Sequence, residues 1–182
     1  MDKLRLLITE ECNRNCEGCC NKDFDLKALP ELTLDENDTL KSFNKIMLTG
    51  GEPMLNPLFI AETVGNIRFW APFADIYVYT AKVDNLKDTV LVLGHLDGLT
   101  LTLHEQKDIE PFMKLNDFLN KTNLMTGIFK SLRLNIFKGV ELPKMWNNEY
   151  CDYILWDIKD NIEWIKDCPL PEGEVFMRLE GI

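Results

Sequence analysis

Short apolar runs alternate with longer, partly polar segments along most of the chain. The apolar runs have the length of strands and the segments between them the length and spacing of helices. Predicted strands lie at Leu4–Thr9, Lys45–Thr49, Asp75–Thr80, Gly98–His104, Leu132–Phe137, Tyr153–Asp157 and Glu174–Leu179. Predicted helices lie at Leu34–Phe43, Leu58–Trp70, Asn85–Leu93 and Pro111–Leu124, with a further short helix at Asn161–Lys166.

The alternation of strands and helices is typical of βαβ units, whose strands pair in parallel. About six such units are too few to close an eight-stranded barrel. We therefore predict an α/β fold, specifically an incomplete (β/α)6 parallel barrel, with a doubly wound sheet as the alternative. In either fold, ligands bind at the C-terminal ends of the strands. Because no linker or repeat interrupts the pattern, we expect residues 1–182 to form one domain.

Composition limits the classes of protein to which this chain can belong. Of 182 residues, 46% are hydrophobic and 27% charged, which is typical of a soluble globular protein. No run approaches the roughly 20 apolar residues of a membrane span, and the first residues lack the features of a secretion signal. We therefore expect a cytoplasmic protein without a membrane partner. The net charge of −10 also disfavours nonspecific binding to nucleic acid.

Four of the six cysteines lie between positions 12 and 20. In a cytoplasmic protein, clustered cysteines more often bind metal or carry out redox chemistry than form disulfides. Cys12, Cys16 and Cys19 have the spacing CxxxCxxC, and soft sulfur ligands suit zinc or iron–sulfur. A structural zinc usually takes four protein ligands, and a fourth is not obvious because Cys20 is adjacent to Cys19. The spacing alone leaves an iron–sulfur cluster, a zinc site and buried thiols open.

A second motif follows one βα unit later, where the next strand ends in Gly50-Gly51-Glu52-Pro53. Two glycines let the backbone turn sharply and approach a ligand closely. Glu52 is left on the same rim of the sheet as the cysteines. Alone, this sequence predicts only a turn, but its position after CxxxCxxC favours a shared site.

The two motifs together resemble those of the radical S-adenosylmethionine (SAM) superfamily. The segment Thr9–Cys19, including Asn13 after the first cysteine, is similar to the cluster loop of that superfamily. Gly50–Glu52 is similar to its motif for the methionine end of SAM. The resemblance is close over the first two strands and architectural elsewhere.

The resemblance implies a [4Fe–4S] cluster in which Cys12, Cys16 and Cys19 each ligate one iron and the fourth iron binds SAM. It also implies that the turn formed by Gly50, Gly51 and Glu52 hydrogen-bonds the SAM amino group. One electron from the cluster, supplied by a donor such as flavodoxin or ferredoxin, would cleave SAM to a 5′-deoxyadenosyl radical. That radical would abstract hydrogen from a substrate, while the protein orients the reactants and excludes water.

Polar side chains on later strands point toward the same rim. Alternation along each strand turns Thr102, His104, Asn135, Asp157 and Lys159 into the barrel interior. This predicts a pocket, although a polar layer that satisfies its own hydrogen bonds is the alternative. By analogy with the superfamily, Thr102 and Asn135 are candidates for contacts with the SAM ribose or carboxylate. His104, Asp157 and Lys159 are candidates for substrate contact or proton transfer.

Several reactions fit this resemblance. We expect a small-molecule substrate, such as a nucleotide or deazapurine precursor. The alternative is an activase that forms a glycyl radical on a partner protein, since Gly18, where the superfamily often has an aromatic residue, and Asp152–Lys159 resemble the activases of anaerobic ribonucleotide reductase. Peptide modification and a noncatalytic metal-binding module are further options. Trp164 is predicted to be a core or helix-face residue.

Overall fold

The computed structural model describes residues 3–35, 38–122, 130–143, 156–165 and 169–182. Within these residues, eight strands form one sheet in which every pair is parallel. The strands are β1 (Lys3–Leu7), β2 (Glu31–Leu32), β3 (Lys45–Thr49), β4 (Asp75–Thr80), β5 (Gly98–Leu103), β6 (Ser131–Phe137), β7 (Trp156–Ile162) and β8 (Glu174–Leu179). The α-helices are α1 (Pro57–Trp70), α2 (Leu86–His95) and α3 (Ile109–Thr122).

The strand order is β2-β8-β1-β3-β4-β5-β6-β7. Strands β3 to β7 follow β1 in chain order on one side, with α1, α2 and α3 in the connections after β3, β4 and β5, whereas β8 and the two-residue β2 lie on the other side of β1. A doubly wound sheet would instead reverse direction at a switch point in its middle. The predicted α/β class and partial parallel barrel are therefore confirmed.

Two predicted helices are wrong. Within 34–43 the described residues form turns and a single 3-10 turn, Leu40–Ser42. The aspartate and asparagine residues of this segment explain the difference, because their side chains compete for backbone hydrogen bonds and favour turns. At 161–165, β7 continues through Ile162, which pairs with Phe137 across an irregular register. Asn161 there has a φ of 55°, a conformation that asparagine tolerates better than most residues.

Other boundaries differ by a few residues or extend outside the described residues. The predicted strand Tyr153–Asp157 starts outside the described residues, and its described part belongs to β7, which begins at Trp156. The end of the predicted helix Pro111–Leu124 also lies outside them, while α3 begins two residues earlier, at Ile109.

The core lies between the helices and the outer face of the sheet. Leu99, Leu101 and Leu103 of β5 are buried, as the alternation predicted, and α3 contributes buried apolar residues above them. The Trp156 ring packs edge-on against Phe112 of α3 at 5.3 Å. This leaves the polar face of β5–β7 toward the barrel interior. Among the described residues, none of the helices combines the length and the apolar character that crossing a membrane requires.

Candidate active site

A cavity of about 320 Å³ opens at the C-terminal ends of the barrel strands. We call it the cysteine cavity, because its wall contains the free thiols of Cys12, Cys16 and Cys19. The same wall contains the predicted cofactor residues Gly50, Gly51, Glu52 and Thr102, and the predicted catalytic residue His104. The structure thus brings both sequence motifs to one site.

A smaller cavity of about 240 Å³ adjoins it, and Thr102 lines both. We call it the polar cavity. The remaining predicted site residues, Asn135, Asp157 and Lys159, line this cavity and do not line the cysteine cavity. Its groups are partly paired, since Asn135 Nδ2 lies 3.5 Å from Thr102 Oγ1 and Arg133 Nε lies 3.6 Å from an Asp157 carboxylate oxygen. A pocket and a polar network therefore coexist.

Main-chain hydrogen bonds join the two motifs. The backbone N–H of Gly51 donates to the Thr9 carbonyl at 2.8 Å, and that of Glu52 donates to the Glu11 carbonyl at 2.7 Å. A Cβ on Gly50 would overlap the Thr9 carbonyl oxygen, and one on Gly51 would overlap that of Glu11. The two glycines are therefore required for the close approach of residues 50–52 to residues 8–19, which we call the cysteine loop.

The Glu52 carboxylate is engaged within the protein. Its side chain is buried, and it accepts hydrogen bonds from the backbone N–H groups of Met54 (3.0 Å) and Ala81 (2.9 Å) and from the Thr80 hydroxyl. Burial raises the pKa of Glu52, although these hydrogen bonds oppose the shift. The carboxylate thus ties the turn after β3 to the end of β4.

Arg14, between the first two cysteines, anchors the cysteine loop to the sheet. Its guanidinium contacts both carboxylate oxygens of Asp108, at 3.0 and 2.6 Å, and donates to the Ala81 carbonyl at 2.7 Å. Asp108 also accepts hydrogen bonds from the backbone N–H groups of His104 and Glu105. Burial alone would raise the pKa of Asp108, but the hydrogen bonds bring it below its ordinary value. Sequence reasoning missed this ion pair, whose partners are 94 positions apart.

Aromatic rings pack together beside the cysteine loop. His104 Nδ1 lies 3.2 Å from Cys16 Sγ, and the imidazole contacts the rings of Phe137 and Trp164. Burial lowers the pKa of His104, and the nearby positive charge of Arg14 lowers it further. Trp164 lies in the cavity wall and not in the core or on a helix, which corrects the prediction. A Cβ on Gly18 would come within 2.5 Å of the Trp164 indole, so Trp164 fills the space beside this glycine.

The possible metal donors of the cysteine cavity are the three free thiols of Cys12, Cys16 and Cys19. Burial raises the pKa of the Cys16 thiol, and the nearby Cys19 and Cys12 raise it further while Arg14 lowers it. The positive charge of a bound metal centre would offset the repulsion between these neighbouring thiolates. Among the described residues, no three cysteine, histidine or acidic side chains converge on one metal position. In a four-iron cluster, each of these cysteines would bind a different iron. Cys20 is disulfide-bonded and so differs from the three free thiols.

Comparison with known families agrees with this geometry. A family model described as "4Fe-4S single cluster domain" matches residues 4–101, which is more than half of the chain and includes both motifs. The chain belongs to this 4Fe–4S cluster domain family. The 4Fe–4S domain is a member of the radical SAM superfamily, as its two motifs predicted, with the [4Fe–4S] cluster and SAM as cofactors.

Curated relatives of the chain include GTP 3′,8-cyclases. The chain is 27% identical to the GTP 3′,8-cyclase of Microcystis aeruginosa over 200 residues, and the match covers 97% of this chain and 59% of the relative. It is 26% identical to a probable GTP 3′,8-cyclase of Thermococcus kodakarensis over 160 residues, covering 79% of this chain and 50% of the relative. The chain thus spans 50 to 59% of the length of these relatives. The interpretation as a radical SAM enzyme is confirmed at the level of the superfamily.

Proposed function

We propose that residues 1–182 form one radical SAM domain that acts on a nucleotide-like small molecule. The observation that carries the proposal is the cysteine cavity, where three free thiols and the Gly50–Glu52 turn meet at the C-terminal ends of the strands. The names of the relatives, which are GTP 3′,8-cyclases, support a substrate of the nucleotide class.

The cysteine loop would hold the cluster through Cys12, Cys16 and Cys19. The Gly50–Glu52 turn would offer main-chain groups to the SAM amino group, because the Glu52 carboxylate already accepts three hydrogen bonds. When bound, the cluster and SAM would supply the radical chemistry, in which one-electron cleavage of SAM provides the radical that abstracts hydrogen from the substrate. A donor such as flavodoxin or ferredoxin would provide the electron.

The polar cavity would hold SAM and substrate groups. Thr102 borders both cavities, and together with Asn135 of the polar cavity it would contact the SAM ribose or carboxylate. Lys159 and Arg133 provide two positive charges against the one carboxylate of Asp157. A locally positive cavity suits an anionic substrate such as a nucleotide, although the whole chain has a net charge of −10.

Anaerobic reconstitution tests the proposal. The protein is loaded with iron and sulfide, reduced with dithionite, and assayed for 5′-deoxyadenosine with SAM alone and with added nucleotides. Iron uptake and SAM cleavage should be lost in Cys12→Ala, Cys16→Ala and Cys19→Ala and retained in Cys20→Ala. A substrate should stimulate cleavage and, when deuterated at the reacting carbon, transfer deuterium into 5′-deoxyadenosine. Failure to take up iron, or cleavage that survives loss of these cysteines, would contradict the ligand assignment.

The activase alternative has less support. Its first argument was Gly18, for which the contact with Trp164 provides a packing reason unrelated to the reaction. Its second argument, the segment Asp152–Lys159, begins outside the described residues. A glycyl radical detected by electron paramagnetic resonance on a partner protein would nevertheless favour the activase over the small-molecule proposal.

A further inference from the structure

His104 lies against Cys16 and is held there through both its side chain and its backbone. Its Nδ1 lies 3.2 Å from Cys16 Sγ, and its own backbone N–H donates to Asp108 at 2.9 Å. Asp108 is in turn paired with Arg14, which belongs to the cysteine loop. The backbone of His104 and the loop that holds Cys16 are therefore hydrogen-bonded to the same buried carboxylate.

Two further rings limit the orientation of the imidazole. The Phe137 ring centroid lies 4.7 Å from that of His104, and the Trp164 centroid lies 5.1 Å from it. Phe137 and Trp164 also contact each other at 4.3 Å, and Trp164 packs onto Gly18. The imidazole therefore belongs to a packed aromatic cluster beside the cysteine loop.

We propose that His104 is a positioning residue for the cluster, donating an Nδ1–H hydrogen bond to the Cys16 thiolate and thereby raising the reduction potential. The inference rests on the proposed function, because it requires Cys16 to be an iron ligand. A hydrogen bond to a ligand sulfur withdraws electron density from it, which stabilises the more negative, reduced cluster. This role differs from the substrate contact or proton transfer for which the sequence made His104 a candidate.

The test compares reduction potentials of reconstituted variants, measured by potentiometric titration followed by electron paramagnetic resonance. His104→Phe keeps an aromatic ring but removes the donor. His104→Asn keeps a donor, because its amide nitrogen can occupy the position of Nδ1. His95→Phe, at an exposed position on α2, is the matched control. Iron content is measured for each protein.

We expect His104→Phe to lower the equilibrium constant for one-electron reduction about tenfold, which corresponds to a potential about 59 mV more negative. His104→Asn and His95→Phe should remain close to the wild type. Equal potentials in His104→Phe and His95→Phe would overturn the inference while leaving the proposed function intact. If His104→Phe does not bind a cluster, the potential of His104→Asn is the test. A lowered potential in His104→Asn, which keeps a donor, would show that the imidazole ring and not the hydrogen bond sets the potential, and would overturn the inference. A wild-type protein that takes up no cluster would instead refute the proposed function.

Discussion

The ion pair between Arg14 and Asp108 should contribute measurably to stability. The Asp108 side chain is 5% exposed and accepts hydrogen bonds from two guanidinium nitrogens and two backbone N–H groups. In Asp108→Asn, an amide NH2 replaces one acceptor oxygen and the guanidinium loses its counter-charge. Breaking a buried, hydrogen-bonded ion pair costs roughly 3–5 kcal/mol. We expect about 3 kcal/mol, at the lower end of that range, because the Arg14 side chain retains 15% of its exposed surface.

The measurement is equilibrium urea unfolding of the reduced, cluster-free protein at pH 7, followed by circular dichroism. In thermal unfolding, the same loss of about 3 kcal/mol would lower Tm by roughly 6–12 °C for a chain of this size. The pKa of Asp108 is lowered in the folded protein, so its stabilising contribution is complete above the unfolded value of about 3.9. That contribution is lost as the pH falls through the folded value, and the difference between wild type and Asp108→Asn should shrink there.

Glu110→Gln is the matched control, because Glu110 pairs with Lys114 on the exposed face of α3. Exposed pairs of this kind contribute little, so its midpoint should equal that of the wild type. Arg14→Met should be destabilised as much as Asp108→Asn, and the double variant by less than the sum. If Asp108→Asn unfolds at the same urea concentration as Glu110→Gln, the pair does not anchor the cysteine loop.

Three other predictions concern the two motifs. Glu52→Gln should lower the free energy of unfolding by about 1–3 kcal/mol in denaturant titrations, because the amide NH2 of glutamine would face the backbone N–H of Ala81. Unchanged stability together with weakened SAM binding would instead indicate that the Glu52 carboxylate binds SAM directly. Gly51→Ala should reduce iron bound per protein, whereas Gly65→Ala, with open space around its Cβ on α1, should not. Gly18→Ala should lower Tm in the wild-type background but much less in Trp164→Ala, where the obstructing indole is gone; equal losses would show that the two residues are not coupled.

Strand periodicity predicted the sheet well, because short buried runs in parallel strands are local signals. Prediction failed where neighbouring strands or side-chain chemistry decide the outcome. Ile162 is in β7 because Phe137 pairs with it, and the predicted helix at 34–43 is interrupted by polar residues that favour turns.

The candidate site divides in the same way. The cysteines and the Gly50–Glu52 turn are short local motifs that each follow a strand, so the sequence predicted that they meet at one edge of the sheet. The partnership of Arg14 with Asp108 and the packing of Trp164 on Gly18 join distant segments, and neither residue pair has a local signature. Such contacts become visible only once the sheet has brought the segments together.

The main-chain bonds between the cysteine loop and the Gly50–Glu52 turn also determine which sequence changes the site can absorb. Because the carbonyl groups of Thr9 and Glu11 make these contacts, the side chains at Glu10 and Glu11 can vary without moving the thiols. The number of residues cannot vary in the same way. One residue inserted between Glu11 and Cys12 would shift all three thiols relative to the turn. The site is thus tolerant of substitution in this segment and intolerant of changes in its length.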